Sequence, residues 1–526
     1  MNSNNLDICE QLVMEAVNNR DYGLALDTVA KFVGSVTSNP RSVGKVFSNP
    51  KLDGLCELIG EKIAELSSDL RSQTQSSGSV ILITQLVATG GHIELIKDYI
   101  RLGVLTEPIT VLVTEYYAHS EIGSINAFLS TLSKDISLVI AKEVSTNNKI
   151  SFLLSYLINH PPKDLIIIAS NHDSLAISLA GIINSKVMFI HHGDHHLCLG
   201  VHSENFIHID PHNLGYFNCR HDLGVKDNRY WPLVITPVEP IPRTKNHRTT
   251  DNSIGLITCT SGRYEKFLLN GYKYDYFHLI PKILSATSGI HFHVGELPLD
   301  KLEGIQFELI NLGINPDRFI HISFVNSLAA FFIENCIDLY ISSFPHGGGK
   351  ASLEAMSVGV PLLMHENYRS NFFSGIALVY PEAFSWSDEP SLLGILTEIC
   401  SEKLAIHAGK AKLFFEKYYS DEAFLKLVKL DKEVDLHHMI PKIKKSGENA
   451  LLNFLEDEKI YNDYSSQKIE LNSIININKS LNQDLIELSS KVNELNRFKQ
   501  NIADSRVWKL YSLFNRLKVK LGILLE

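Results

Sequence analysis

The chain has 526 residues, 44% of them hydrophobic and 21% charged, enough apolar material for several cores, which excludes global disorder. Its 49 Lys and Arg against 59 Asp and Glu give a formal net charge of -10, which excludes a protein that coats nucleic acid through a wholly basic surface. No run reaches the roughly 18 apolar residues of a membrane-spanning helix, and Met1 to Asn5 lacks the order of a signal peptide, so a cytoplasmic protein is expected. Cys9, Cys56, Cys198, Cys219, Cys259, Cys336 and Cys400 are odd in number and never spaced C-x-x-C, so neither a disulfide framework nor a thiolate zinc knuckle is expected.

In chain order, Ile8, Leu12, Val13 and Ala16, then Leu24, Ala25, Val29 and Phe32, recur at helical spacing and predict a helical cap over 1–75. After the polar stretch Ser72–Ser79, short apolar runs alternate with amphipathic ones, as in a parallel sheet with crossover helices. The predicted strands of this first half, 78–240, are Val80–Thr84, Ile109–Thr114, Ser137–Ile140, Asp164–Ile168 and Lys186–Ile190. Pro237, Pro240 and Pro242 then open a linker running from Thr236 to Ser253. The alternation restarts over 250–440, with strands at Ile254–Cys259, His291–Val294, Phe319–Ile322, Leu339–Ile341 and Pro361–Met364, and helices at Leu328–Asn335 and Ala351–Val358. The expected fold class is therefore α/β, with two Rossmann-like domains facing a cleft and ligands at the carboxyl ends of the strands.

Leu471, Asn478, Leu485, Val492 and Lys499 at a, with Ile474, Leu481, Leu488, Leu495 and Ile502 at d, predict a coiled coil over 466–503, and hence a homo-oligomer. The alternative is one long helix lying on the protein's own surface. The last segment, 505–526, places Val507, Leu510, Tyr511, Phe514, Leu517 and Leu521 on one face beside Arg506, Lys509, Arg516, Lys518 and Lys520. With Trp508, that face suits either an anionic lipid surface or packing on the protein body.

The most informative stretch runs from Ile337 to Pro361. A strand ends at Ile341, Gly347, Gly348 and Gly349 let backbone approach a ligand, and a helix opens near Lys350 and Ala351. Free N–H groups and the helix dipole suit a pyrophosphate, and Glu354, one turn further on, suits a vicinal diol such as ribose. This stretch resembles the donor-binding helix of GT-B nucleotide-sugar glycosyltransferases, ending in Glu-Ala-Met and Gly-x-Pro. Phe344-Pro345 makes it most similar to the O-linked N-acetylglucosamine transferase and bacterial adhesin-glucosyltransferase group. The resemblance spans about residues 80 to 420. It implies that Glu354 binds ribose, while Gly348, Gly349 and Ala351 face the phosphates. Retaining relatives carry a Glu eight residues before the ribose Glu; His346 stands there, which points to inversion.

Thr260 to Lys266, after the strand at 254–259, matches the family loop whose Lys holds the departing diphosphate, so Lys266 is the first candidate and Arg263 the second. Val294-Gly295-Glu296 and Phe324-Val325-Asn326 resemble positions that frame the base. In the first half, Gly90-Gly91-His92 resembles the acceptor-side loop, and His92 has the chemistry either of an acceptor base or of a contact to the donor sugar or phosphate. The run His191-His192-Gly193-Asp194-His195-His196, with His202, His208, His212 and His221 following, invites zinc or manganese. The resemblance instead implies a leaving group stabilised without a cation, so neither a metal nor another cofactor is expected; His192, Asp194 and His195 are read as acceptor-side groups, with Asp194 a second candidate base.

The expected activity is transfer of a hexosyl or N-acetylhexosaminyl group from a nucleotide sugar, with UDP the expected nucleotide, to a hydroxyl. The C-terminal extension resembles those of bacterial surface-polysaccharide transferases, which implies a saccharide or lipid-linked saccharide acceptor at the inner face of the membrane. Protein O- or N-glycosylation is the alternative within the class. A UDP-sugar 2-epimerase and a non-catalytic coiled-coil scaffold are the alternatives outside it.

Overall fold

The structure is a computed structural model that describes residues 4–66, 77–87, 91–117, 119–130, 136–238, 255–269, 271–429 and 450–520. Gly90, Ile254 and most of the Pro-rich linker lie outside the described residues, as do the side chains of Leu471, Ile474 and Asn478. The chain divides into a unit from residue 3 to residue 454 and a second beginning at Leu455.

Helices α1 (Asn4–Asn18), α2 (Tyr22–Thr37) and α3 (Pro50–Leu66) come first. The next elements are β1 (Ser79–Ile83), α4 (Gly91–Arg101), β2 (Ile109–Val113), α5 (Ile122–Leu129), β3 (Ile136–Ile140), α6 (Thr146–Asn159), β4 (Asp164–Ile167) and α7 (Ser174–Ile182). β5 (Lys186–Ile190), β6 (Ile207–Asp210), α8 (Asn213–His221) and β7 (Arg229–Tyr230) complete the first sheet, whose seven strands lie in the order β3-β2-β1-β4-β5-β6-β7. All its pairings are parallel. β1 is buried at every residue, as a strand covered on both faces must be, and its Ser-Val-Ile-Leu-Ile run shows no alternation for that reason. α4 follows the helical period instead: Ile93, Ile96 and Tyr99 are buried while Glu94 and Lys97 pair at 2.9 Å on the outer face.

The second half repeats the plan with β8 (Thr258–Ser261), α9 (Tyr276–Thr287), β9 (His291–Val294), α10 (Leu299–Asn311), β10 (Phe319–Ile322), α11 (Leu328–Glu334), β11 (Leu339–Ile341), α12 (Gly349–Ser357), β12 (Leu362–His365), α13 (Asn371–Ser374) and β13 (Phe384–Trp386). Its six parallel strands run β10-β9-β8-β11-β12-β13. α14 (Glu389–Glu398), α15 (Ser401–Tyr418) and α16 (Asp421–Lys429) follow, then α17 (Ala450–Asp504) and α18 (Arg506–Lys520). In both sheets the order in which strands are added switches sides next to the first strand, which opens a crevice at the carboxyl ends.

β8 starts four residues later than the sequence predicts. Its ladder begins at Thr258 because the neighbours begin there, at His291 and Leu339, and the Ile257 N–H is taken by the Asp338 carboxylate at 2.8 Å instead. β6, β7 and β13 are absent from the sequence reading; β6, Ile-His-Ile-Asp, buries His208 and Asp210 where an apolar run would be sought.

α16 returns to the first half: Phe424 stacks on Tyr99 with centroids 5.9 Å apart and meets Trp231 edge-on, while Asp421 holds Arg101 in a two-pronged ion pair. α2 and α3 pack on α7, with α1 against both of them, and Asp53 of α3 accepts the N–H groups of Gly200 at 2.6 Å and His202 at 2.9 Å. In α17, Leu481, Leu485, Leu488, Val492 and Leu495 are each more than half exposed. No helix among the described residues is long and apolar enough to cross a membrane.

Candidate active site

The loops after β8 and β11 carry the predicted donor residues, and one hydrogen bond ties them: the His346 N–H donates to the Lys266 carbonyl at 3.2 Å. Lys266 sits on a 3-10 turn, Tyr264–Phe267, that turns its ammonium toward the glycine loop. Its Nζ lies 3.1 Å from the point a Cβ on Gly348 would occupy, so the ammonium stands directly beside the glycine's open side. Gly347 donates to the Phe373 carbonyl at 2.6 Å, and a Cβ there would stand 2.2 Å from the Ser374 carbonyl, so only glycine lets the loop lie on α13. α12 then opens with Gly348 as its N-cap, and glycine has no side chain to satisfy the first N–H groups.

Burial, followed by the nearby Arg263 charge, brings Lys266 down to about 8. Neither cause is a carboxylate; the half-buried ammonium is partly stripped of water and has no counter-charge beside it, the state expected of a cation awaiting an anion. His346 is half-buried, its ring edge-on to Phe373 at 4.7 Å, and burial lowers its pKa. Arg263 is exposed on the rim of a hollow of about 460 Å³ lined by Tyr264, Glu296, Pro298, His321 and Ser323, at the carboxyl ends of β8, β9 and β10. Val325 is half-buried beyond β10 against the apolar core.

Two donor candidates already have partners. Lys350 forms an ion pair with buried Asp98 of α4, bridging the two halves. The Glu354 carboxylate accepts the Ala329 N–H at 2.9 Å and so caps α11; burial raises its pKa despite that bond. Ala351 is buried on the inner face of α12.

On the facing side, Gly91 opens α4 and is exposed, while His92 is half-buried with Nε2 3.3 Å from the Gln85 carbonyl. Its ring centroid lies 6.0 Å from that of His192, so the loops after β1 and β5 meet. Burial lowers both rings, His192 to about 3, and keeps them neutral near pH 7. Asp194 is buried, 3.4 Å from His195 Nδ1 and 3.3 Å from His212 Nδ1, and a Cβ on Gly215 of α8 would come within 2.4 Å of its Oδ2. Desolvation works against its charge, but the two imidazoles hold its carboxyl well below the usual carboxylate range. Such a group is a poor proton acceptor, and its enclosure by α8 suits a positioning role. His195 is partly exposed, and its carbonyl accepts the Gly44 N–H of the N-terminal segment at 2.8 Å.

The sequence reading gave His212 and Asp98 no separate part. His212 Nε2 lies 4.0 Å from where a Cβ on Gly349 would stand, beside the opening of α12. His212 follows the rule that post-strand loops carry the site once β6 is identified, whereas Asp98, in the last turns of α4, lies outside that rule.

No family model and no curated protein matches the sequence. Among solved structures, the chain is similar to a glycosyltransferase from Rickettsia africae, at 10% identity and a TM-score of 0.49, covering 67% of this chain and 97% of that one. It is similar to Anabaena Alr3699/HepE in complex with UDP and glucose at 12% identity and a TM-score of 0.47, covering 66% and 97%. A Thermobaculum terrenum O-GlcNAc transferase mutant aligns at 10% identity and a TM-score of 0.40, covering 83% and 81%. The architecture rests on the strand orders themselves: on those, the chain is an α/β protein of two Rossmann-type domains.

Proposed function

We propose that the protein is a GT-B glycosyltransferase that moves a sugar from a UDP-sugar to a hydroxyl acceptor with inversion and without a catalytic metal. The observation that carries this reading is the Lys266 ammonium beside Gly348 at the uncapped opening of α12. His92 removes the acceptor proton, the acceptor oxygen bonds to the anomeric carbon, and the bond from that carbon to the β-phosphate oxygen breaks. The electron pair left on the diphosphate is stabilised by Lys266 and the first N–H groups of α12. Asp194 acts by holding His195 and His212, and His192 and Gly91 shape the acceptor side. Arg263, Val325 and the hollow beside β9 and β10 take the nucleoside, with the Glu354 carboxylate directed to ribose. A lipid-linked saccharide at the inner membrane face is the proposed acceptor, supported by the exposed Trp508 and the basic residues of α18. The heptad seam of α17 is assigned to a homo-oligomer.

The test is a thermal-shift and calorimetric titration of UDP and UDP-sugars. Wild type should be stabilised by a uridine nucleotide, and Lys266→Ala should lose about 10²–10³-fold in kcat/KM together with most of that stabilisation. Equal binding by both proteins would remove the donor site, and turnover of UDP-sugar with no acceptor present would favour epimerisation.

A further inference from the structure

Away from the glycine loop, four side chains from three elements converge inside the first domain. His191 follows β5, His208 and Asp210 are alternate residues of β6 and share a face, and Cys219 comes from α8. All four are buried, and one potential ligand atom from each lies within 4.8 Å of all the others. His191 Nδ1 stands 3.2 Å from Asp210 Oδ1, His208 Nε2 3.1 Å from the same oxygen, and Cys219 Sγ 3.4 Å from it and 3.3 Å from His191 Nδ1.

As a hydrogen-bonded cluster this is overcrowded. Three potential donors converge on one carboxylate oxygen, while Asp210 Oδ2 is already taken by the Asn228 amide at 2.7 Å. His191 Nε2 and His208 Nδ1, the ring nitrogens outside the cluster, are buried without a hydrogen-bond partner and take no part in the crowding. A divalent cation at the centre accounts for the convergence, because each of the four atoms then offers it a lone pair. Metal–nitrogen and metal–oxygen bonds of about 2.0–2.1 Å and a metal–sulfur bond of about 2.3 Å give tetrahedral edges of roughly 3.3–3.6 Å; the four spacings above lie close to that, and the remaining two are within 4.8 Å, so His208 closes on the cation as it binds. One thiolate and one carboxylate neutralise a dication, so the site closes without net buried charge. Thiolate with imidazole selects zinc over magnesium or calcium, and four protein ligands leave no open position for substrate.

We propose that His191, His208, Asp210 and Cys219 form a structural zinc site. Binding forms the Cys219 sulfur–zinc bond and releases the thiol proton to solvent, with no electron transfer. The site joins the ends of β5 and β6 to α8, whose first residue, Asn213, donates to the Ala377 carbonyl of the second half. Zinc thereby fixes the wall that carries Asp194 and His212. It departs from the expectation of no metal drawn from the sequence, and it stands independently of the transferase reading.

The experiment is metal analysis and zinc-edge X-ray absorption on the full chain, purified, loaded with zinc sulfate and dialysed. About one zinc per chain is expected, with one sulfur near 2.3 Å and three nitrogen or oxygen neighbours near 2.0 Å. Cys219→Ser should lose the sulfur shell, and His221→Ala, an exposed histidine on the same helix, should retain the metal. Retention of no zinc by the wild-type chain would overturn the proposal. So would a spectrum without sulfur, which would mark a surface histidine site. Because the absorption spectrum is read on wild type, a Cys219→Ser protein that fails to fold leaves the answer intact.

Discussion

An ammonium held near pKa 8 is close to losing its charge in mildly basic solution, and Lys266 is such a group. UDP affinity is therefore expected to fall as pH rises through about 8, and binding should take up a proton. At the acid end, His92 as the proposed base has to be neutral to accept a proton, and burial sets its pKa below the usual histidine value. The kcat/KM profile should be bell-shaped, with its basic limb near 8 abolished in Lys266→Met. Survival of that limb in the variant would assign it to another group. Lys266 also affects ligand-free stability. Its folded pKa lies below its unfolded one, so the buried charge disfavours folding below about pH 8, and that penalty fades between 8 and roughly 10.4. Lys266→Met should melt higher than wild type at pH 7, and its advantage should shrink toward pH 10. Lys266 and Gly348 were legible as candidates because each follows a strand; that 3.1 Å separates the ammonium from the glycine's open side was not, since it depends on the hydrogen bond between the two loops.

Among the elements, α3 and α16 show how distant segments brace the crevice. Asp53 is buried and satisfies two backbone N–H groups of the segment that follows the His-rich loop. Asp53→Ala should cost about 2 kcal/mol in urea unfolding, through donors left buried; a loss below about 0.5 kcal/mol would mean water replaces the carboxylate. Phe424 is fully buried between Tyr99 and Trp231, and Phe424→Ala should cost about 3–4 kcal/mol by opening a cavity between α16 and α4. An unchanged midpoint would place that contact outside the cooperative unit. The helical patterns at 328–335 and 351–358 made α11 and α12 visible from sequence, whereas β6 was hidden because its buried His208 and Asp210 replace the apolar signal. Lys350 is the clearest shift of role: a lysine at a helix opening looks like a phosphate ligand, but its ammonium pairs with Asp98, 252 residues away in the chain.

At the scale of the whole molecule, the exposed seam of Leu481, Leu485, Leu488, Val492 and Leu495 is too apolar to leave in water along a helix of 55 residues. Sedimentation should find the full chain oligomeric, and Leu485→Asp with Leu488→Asp should give a monomer that still binds UDP. A monomeric wild type would leave the heptads without their proposed partner.

The sequence by itself determined what local pattern controls: two runs of alternating strand and helix, a heptad tail, and the glycine-rich opening of α12, since each is encoded by neighbours within a few turns. Tertiary structure alone decided which candidates meet. Lys266 and Gly348, Lys350 and Asp98, and the set His191, His208, Asp210 and Cys219 are brought together by sheet order and crossover packing, and no spacing along the chain records those distances.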